Sequence, residues 1–524
     1  MKKEWNLLLF MALIPLAFGL YSLSLGQDTN WDIQNYHLYN PYAFLHGRFN
    51  QDLSPAGWCT CLNPYLDLAY FELTQVFSPR TVGFILGLVQ GLNVIFLFFI
   101  CKNCLKATFG NNDRSSLVLA IMGGLSVGFL SEIGTVFWDN VVSIFILISL
   151  FMVVRSIDDM VSGRREVIWP IVCAGVLAGI GAGLKLTVSL NAFALMLSFF
   201  FISVPWGTRT LYAFLFGLGT AAGLLGSDGY WLWYIWQHMG NPIYPFMNNI
   251  FHSALAPLAP IHDLRFHPKN FFEMLAYPYI FTLDPLRAGE QACKQLNWLI
   301  VYFVSIFFFV KQIIGLSPRS VSVPLSHQAK YLLSFFWISY FFWLITFGYY
   351  RYQISIEILI PLVIVVLFSS LFKLDRLKAL TVVILLGSVT LFNLGGVADW
   401  GHSKWGTKVY RLDSRFVLKD KFDAVALIGL PLGWVVPALD IDAPFIQLMP
   451  NFLVSEAYFQ KARAMLRIGN RKVLVIFQPW VISPKNARAV LKPYDLELKK
   501  GACSMESGYI GSKRIYLMFC RAYQ

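Results

Sequence analysis

Long apolar runs constrain this chain more than any other feature of its sequence. About eleven stretches approach 20 residues, the length that an α-helix needs to cross the hydrocarbon core of a bilayer. These candidate spans lie near residues 6–25, 79–101, 115–133, 137–154, 168–184, 186–204, 210–226, 297–315, 331–347, 353–372 and 379–397. Composition agrees, because 57% of the residues are hydrophobic and only 14% are charged. The sequence therefore predicts an α-helical polytopic membrane protein.

Lysine and arginine are concentrated in alternate turns between these spans, which predicts an orientation. With a cytoplasmic N-terminus, the basic turns that face inward are 1–4, 101–114, 155–166, 205–209, 311–330 and 373–378. The outer face then receives loops 26–78 and 227–296, the turns 131–140, 183–185 and 348–352, and everything after about 398. A secretory signal is the alternative for the first apolar run, but no small-residue cleavage pattern follows it. The net charge of +13 is explained by this topology and by anionic lipid rather than by nucleic acid.

The composition changes after about residue 398. Charge density rises, and β-like runs at 424–428, 473–477 and 515–519 alternate with a helix-like stretch at 455–467. We expect a transmembrane domain over 1–397 and a small α/β extracytoplasmic domain over 398–524, large enough for its own core. The eight cysteines show no zinc spacing, and Cys503 and Cys520 could pair in an oxidising compartment.

Asp32 is the first candidate catalytic residue, in a polar, aromatic segment directly after the first span. A carboxylate near hydrocarbon must be paired, hydrated or used, and one that is shielded from water can act as a general base. The alternative is that Asp32 caps a helix beginning at Ile33. His37 follows at a spacing that could place it over the same pocket, or it could be a hydrogen-bonded structural residue.

Further candidates occupy the other outer turns. Asp139 could share acid and base roles with Asp32 or bind a metal, or simply belong to a polar turn. Lys185 could hold a phosphate or extend to lipid headgroups.

Arg351, followed by Tyr352, suits a phosphate because a guanidinium gives fixed, bidentate hydrogen bonds; headgroup anchoring is the alternative. Glu357, at the start of an apolar helix, needs a partner, for which Arg351 or Lys185 is the nearest choice.

The long outer loop 227–296 supplies two weaker candidates. Asn241 lies in a stretch where a glycine and two prolines stop any regular helix. Arg265 stands two residues after Asp263, an arrangement that is only a modest signal of a site. The tryptophans and tyrosines nearby are also expected of any membrane interface.

Taken together, segments 31–48, 183–187, 240–248, 263–266 and 350–352 resemble motifs of a bacterial branch of the GT-C superfamily of polytopic glycosyltransferases. The resemblance covers about residues 1–400. It implies a sugar donor carried on a polyprenyl phosphate or diphosphate, an acidic base in the first outer loop (26–78), and basic groups near the membrane that hold the phosphate. By position, Asp32 takes the first role, and Arg351, with Lys185, the second.

The resemblance therefore predicts a glycosyltransferase of the bacterial plasma (inner) membrane that moves a sugar to an envelope glycan, lipid or protein acceptor on the outer face. The alternative is a secondary transporter or flippase of lipid-linked glycans, which would need ionisable groups deep in several spans. Apart from Glu357, the predicted spans are nearly free of charge, which favours the enzyme. No cofactor is expected, and Trp31 rather than a second acid precedes Asp32, which argues against a metal-dependent mechanism.

Overall fold

The computed structural model describes residues 2–110, 112–259, 261, 263–314, 324–372, 376–414, 421–467 and 472–523. Residues 315–323 and 373–375, within the last two predicted cytoplasmic turns, lie outside the described residues. Helices dominate as far as Leu394, and a β-sheet with its own helices follows. This division of secondary structure matches the change in composition near residue 398.

Each predicted apolar span is helical over most of its length. The helices of this part are Lys2–Leu25, Tyr39–Leu45, Tyr65–Val76, Pro79–Gln90, Leu92–Phe109, Asp113–Gly124, Val127–Ser131, Asp139–Val161, Ile168–Leu184, Ser189–Ser198, Trp206–Met239, Asn248–Phe251, Phe271–Leu283, Leu296–Ile314, His327–Thr346, Ile354–Glu357, Ile360–Leu371 and Arg376–Leu394. Within the described ranges, six helices are long and apolar enough to cross a membrane, or seven if the bent pair Tyr350–Glu357 and Ile360–Leu371 is one span. The protein is a multi-pass membrane protein.

The structure divides several predicted spans into shorter helices. The stretch 115–133 is broken between Gly124 and Val127, and the apolar helix Leu186–Phe201 is shorter than 18 residues. The bent pair turns by 52° after Glu357. Breaks of this kind leave polar backbone groups unpaired unless other parts of the protein satisfy them, so they are tolerated where a site or cavity is built.

Helices Ile168–Leu184 and Trp206–Met239 pack at unusually short range through glycines. A Cβ added at Gly179 would lie 2.0 Å from the carbonyl oxygen of Thr220, and one at Gly175 would lie 2.2 Å from that of Phe216. Small residues allow such close backbone contact in membranes. This close packing fixes the position of helix Ile168–Leu184. It therefore also fixes the position of Lys185, which directly follows that helix.

The loops predicted to share the outer face do contact one another. Strand β1 (Gln27–Asp28) pairs with β2 (His402–Ser403), and the backbone N–H of Val136 donates to Asp28 Oδ2 at 2.9 Å. Asn63 Nδ2 donates to the carbonyl oxygen of Gly183 at 3.0 Å. We call this end of the molecule the outer side.

A six-stranded mixed sheet forms the C-terminal part, in the order β3-β7-β8-β6-β4-β5. Its strands are β3 (Tyr410–Asp413), β4 (Ala424–Ile428), β5 (Phe445–Gln447), β6 (Val473–Phe477), β7 (Glu497–Ile510) and β8 (Lys513–Tyr523). Strand β4 is parallel to β5 and β6, and the other pairings are antiparallel. The helices are Val435–Leu439, Glu456–Leu466 and Pro484–Leu491. A disulfide between Cys503 and Cys520 joins β7 to β8.

The two faces of this sheet belong to different cores. Ala424, Ala426 and Ile428 of β4 pack with the helices of the C-terminal part. Val425 and Leu427, on the other face, share a core with the first outer loop and Trp231. Because side chains alternate along a strand, a strand buried on both faces is apolar throughout. On one face the core comes from the C-terminal part with a single residue of the first outer loop, Leu53, whereas on the other face the membrane part supplies much of the core.

Candidate functional site

Asp32 and Arg351 meet on the outer side. Asp32 precedes a π-helical turn, Ile33–His37, and Arg351 lies in a 3₁₀ turn, Tyr350–Gln353. Arg351 Nη1 donates to Asp32 Oδ2 at 3.2 Å, and the two side chains are only 9% and 15% exposed. Because both side chains are largely buried, water and salt weaken the attraction between the two charges much less than they would at the surface.

The capping alternative for Asp32 is wrong. Its side chain makes no capping hydrogen bond to the turn that follows. Asn30 Oδ1 instead accepts from the backbone N–H of Ile33 at 2.9 Å. Tyr36 Oη donates to Asp32 Oδ2 at 3.5 Å, a long hydrogen bond. Burial and the charge of Asp32 raise the pKa of the Tyr36 phenol well above its usual value, so Tyr36 remains a donor at neutral pH.

Asp139 and Lys185 complete the group. Lys185 Nζ donates to Asp139 Oδ1 and to the carbonyl oxygen of Phe137, both at 2.6 Å. Asp139 Oδ2 lies 3.5 Å from Arg351 Nε. Asp32, Asp139, Lys185 and Arg351 thus form one charged cluster, in which two carboxylates face two cations. Sequence reasoning selected all four residues for their chemistry, and the structure brings them together.

Aromatic rings surround the cations of the charged cluster. The guanidinium carbon of Arg351 lies 3.9 Å from the ring centroid of Phe137, 5.6 Å from that of Tyr352 and 5.8 Å from that of Trp400. Lys185 Nζ lies 5.4 Å from the Tyr352 centroid. Cation–π attraction strengthens when the cation is desolvated. Tyr352 therefore contacts both cations, which places this predicted residue beside the cluster.

Glu132 is an acid near the cluster that sequence reasoning missed. It is 1% exposed, and neither carboxylate oxygen has a hydrogen-bond donor within the described ranges. It interacts electrostatically with Asp139, Arg351 and Lys185. The signal was available, because an acid inside a predicted span is by default a functional candidate. Among the described residues, no group of three or more His, Cys, Asp and Glu side chains is arranged to hold a metal ion.

The expectation that Glu357 pairs with Arg351 or Lys185 is wrong. Glu357 Oε1 accepts from Tyr350 Oη at 2.6 Å and from the backbone N–H of Gly128 at 3.1 Å. In the described part of the chain, the hydrogen-bond and ion-pair partners of Glu357 thus include neither Arg351 nor Lys185, which pair with Asp32 and Asp139. Glu357 joins the turn Tyr350–Gln353 to helix Val127–Ser131, and so helps to position Arg351, which lies in that turn.

His37 pairs with Asp67 rather than with Asp32. His37 Nδ1 lies 2.6 Å from Asp67 Oδ1, which also accepts from Trp138 Nε1 at 2.6 Å. The backbone of Trp138 has φ 68°, a left-handed conformation that costs a non-glycine residue of the order of 1–3 kcal/mol. The fully buried Asp67 hydrogen bond holds Trp138 in place between Phe137 and Asp139. His37 therefore belongs to this support rather than to the charged cluster itself.

The two candidates from the long outer loop lie apart from the cluster. Arg265 is 63% exposed and pairs with Asp263 and Glu290, each at 2.6 Å. Asn241 is fully buried and donates to the carbonyl oxygen of Phe246 at 2.9 Å, which stabilises its own loop. The hydrogen bonds and ion pairs found for these two residues in the described ranges do not reach the charged cluster.

Comparison with known proteins gives a result for structure but not for sequence. No protein-family model matches the chain, and no curated protein matches it. The crystal structure of ArnT from Cupriavidus metallidurans bound to undecaprenyl phosphate matches with a TM-score of 0.52 and 12% identity, over 99% of this chain and 98% of that one. The crystal structure of ArnT in the apo state also matches over 99% of this chain and 98% of that one, with 11% identity and a TM-score of 0.41.

The likeness to the lipid-bound structure extends over both the membrane part and the C-terminal sheet, since nearly all of each chain is matched. At 12% identity such a match speaks for the fold alone. The protein therefore has a GT-C-like fold.

Proposed function

We propose that the protein is a membrane glycosyltransferase that moves a sugar from a polyprenyl-phosphate-linked donor to an acceptor hydroxyl on the outer side. The observation that carries the proposal is the contact between Asp32 and Arg351 within the charged cluster. The fold supports it, because the matching ArnT structure holds undecaprenyl phosphate.

Asp32 acts as the general base. It accepts the proton of the acceptor hydroxyl while the acceptor oxygen forms a bond to the anomeric carbon of the sugar. The bond from that carbon to the phosphate oxygen breaks, and its electron pair stays on the lipid phosphate. A positioned base contributes a factor of about 10² to 10⁴ in rate. Arg351 and Tyr36 fix the orientation of the carboxylate.

Arg351 and Lys185 stabilise the departing lipid phosphate. Arg351 Nε is buried and has no hydrogen-bond acceptor in the described part of the chain, so the guanidinium retains a donor for a ligand. Preorganised cations aimed at developing negative charge are most effective where water is excluded. Asp139 keeps the cations in place and balances their charge until the phosphate arrives.

A cavity of about 540 Å³ suits part of the polyprenyl chain. Its lining is mainly apolar and includes Phe18, Leu125, Leu130 and Val397. Leu130 adjoins Ser131, whose hydroxyl accepts from Trp400 Nε1 at 3.1 Å, and Trp400 packs against Arg351. A lipid tail in this cavity would thus lead its phosphate toward the cluster.

We place the protein in the bacterial plasma membrane, with the N-terminus cytoplasmic and the outer side extracytoplasmic. The Cys503–Cys520 disulfide is in keeping with an oxidising compartment for the C-terminal sheet. Envelope glycans, lipids and proteins are the acceptors available there.

The test is sugar transfer by the purified full-length protein in lipid nanodiscs, from a panel of synthetic polyprenyl-phosphate sugars to envelope extracts. Asp32→Asn should lower turnover by about 10² to 10⁴. The matched control is Asp413→Asn, since Asp413 is 53% exposed in the C-terminal sheet, and this variant should keep the wild-type rate. Undiminished transfer by a folded Asp32→Asn protein would remove Asp32 from the proposed role.

A further inference from the structure

A second cavity, of about 410 Å³, lies between the first outer loop and the C-terminal sheet. The first outer loop contributes Trp31, strand β8 contributes Lys513 and Arg514, and the turn after β6 contributes Trp480. Trp400, in the connection between the two parts, completes this wall. The volume lies in the range of small-molecule sites, roughly 300–1,000 Å³. We call it the interdomain cavity.

Three tryptophans line the interdomain cavity. Trp480 is 69% exposed and Trp31 is 42% exposed, although burying so large an apolar ring would stabilise the fold. The Trp480 ring is braced by an edge contact with Tyr516 at 5.8 Å between centroids. Indole rings held at a polar cavity are suited to the C–H faces of sugar rings, because they combine apolar area with an N–H donor.

The charge of the interdomain cavity is positive. Lys513 and Arg514 begin β8, and none of the lining residues found in the described ranges is acidic. Lys513 Nζ is 3.4 Å from the carbonyl oxygen of Thr29, and Arg514 packs on Tyr509 and Tyr516. Neither cation has an ion pair in the described part of the chain, so both can bind an anionic group.

The interdomain cavity adjoins the charged cluster through two of its tryptophans. Trp31 directly precedes Asp32, and the Trp400 ring centroid is 5.8 Å from the guanidinium carbon of Arg351. The mainly apolar cavity of the membrane part is lined by Leu130, which precedes Ser131, the residue whose hydroxyl accepts from Trp400 Nε1. A ligand in the interdomain cavity would therefore approach Asp32 from the C-terminal sheet, while a lipid donor approaches from the membrane.

We infer that the interdomain cavity binds the acceptor, and that the acceptor is a saccharide carrying an anionic group, a carboxylate or a phosphate. The inference rests on the proposed function and adds the class of acceptor to it. The tryptophans pack against sugar rings, and Lys513 and Arg514 bind the anion. The C-terminal sheet thereby selects the acceptor, and the membrane part supplies the chemistry.

The test measures binding of three disaccharide probes to the full-length protein in nanodiscs: one neutral, one with a uronic acid and one phosphorylated. At least one acidic probe should bind about ten- to a hundredfold more tightly than the neutral one. Lys513→Ala with Arg514→Ala should remove that preference, and Trp480→Ala should weaken all binding. The matched controls are Lys485→Ala with Arg488→Ala, and Trp236→Ala, which alter exposed residues outside the cavity lining.

Equal affinities for all three probes, or wild-type binding by the Lys513 and Arg514 double variant, would overturn the inference. So would normal transfer to acidic acceptors by a double variant that no longer binds them. The proposed function is judged separately: Asp32→Asn should bind the acidic probe normally and fail in transfer. If that variant transfers normally, the role of Asp32 fails while the binding result stands.

Discussion

Arg351 Nη1 donates to Oδ2 of Asp32 at 3.2 Å, across 319 positions of the sequence. The contact joins the first outer loop to the turn Tyr350–Gln353, which begins the bent pair of apolar helices. It places a carboxylate, the proposed base, next to a guanidinium, the proposed phosphate ligand. Four substitutions or conditions test what this arrangement and its supports contribute.

Arg351→Gln should reduce transfer by about 10² to 10³, the loss typical of removing one preorganised donor to a developing anion. Arg351→Lys should recover part of the rate, because it restores the charge but not the planar set of donors. The measurement is kcat and KM for the lipid donor. The double variant Asp32→Asn with Arg351→Gln should be no slower than the worse single variant, since the pair acts as a unit. Fully additive losses would show that the two residues act independently.

Lys185→Met should destabilise the protein by about 3–5 kcal/mol, because the buried carboxylate of Asp139 loses the cation that hydrogen-bonds its Oδ1 and keeps only the longer contact with Arg351. Asp139 is 3% exposed and Lys185 17% exposed. Adding Asp139→Asn should recover much of the loss. Thermal unfolding in nanodiscs measures both. The matched control is Lys102→Met, which breaks a partly exposed pair with Asp113 and should cost no more than about 1 kcal/mol. Equal shifts in the two single variants would contradict the prediction.

Arg48→Met should loosen the contact between the first outer loop and the C-terminal sheet. Arg48 donates to both oxygens of Asp52, at 2.8 and 2.9 Å, and to the carbonyl oxygen of Ala443 at 2.6 Å. Asp52 also accepts from the backbone N–H of Phe445 at 2.9 Å. Breaking a buried pair of this kind costs about 3–5 kcal/mol. Hydrogen exchange in β5 should rise strongly, whereas Arg164→Met, at the exposed pair with Asp159, should leave it unchanged.

Acid should weaken the segment around Arg265. The Arg265 side chain, which hydrogen-bonds Asp263, holds the pKa of that carboxyl below its usual 3.8. A lowered pKa means that the stabilisation is complete above pH 3.8 and is lost as pH falls through the folded-state pKa. Because the pair is exposed, the effect is small, about 0–1 kcal/mol. Exchange of the Arg265 amide, which donates to Asp263 Oδ1, should increase on acidification after correction for intrinsic exchange. Asp263→Asn should show no such dependence.

Much of the architecture was predictable because its causes are local. Apolar runs near 20 residues specify helices for hydrocarbon, and alternate basic turns specify which loops share a side. The apolar runs at 424–428 and 473–477 are strands, as predicted, and the helix predicted at 455–467 spans Glu456–Leu466. The chemistry of Asp32, Asp139, Lys185 and Arg351 could also be read from residue type and position, since charge beside hydrocarbon needs a reason.

The partners of these residues were decided only by the tertiary structure. His37 pairs with Asp67, and Glu357 accepts a hydrogen bond from Tyr350. Glu132, which the sequence analysis did not select, interacts electrostatically with the cluster. A local pattern of hydrophobicity determines which segments become helices or strands and which ends carry charge. It contains nothing about distances between side chains hundreds of positions apart, because those follow from how the elements pack, and that packing also made one face of the C-terminal sheet share its core with the first outer loop.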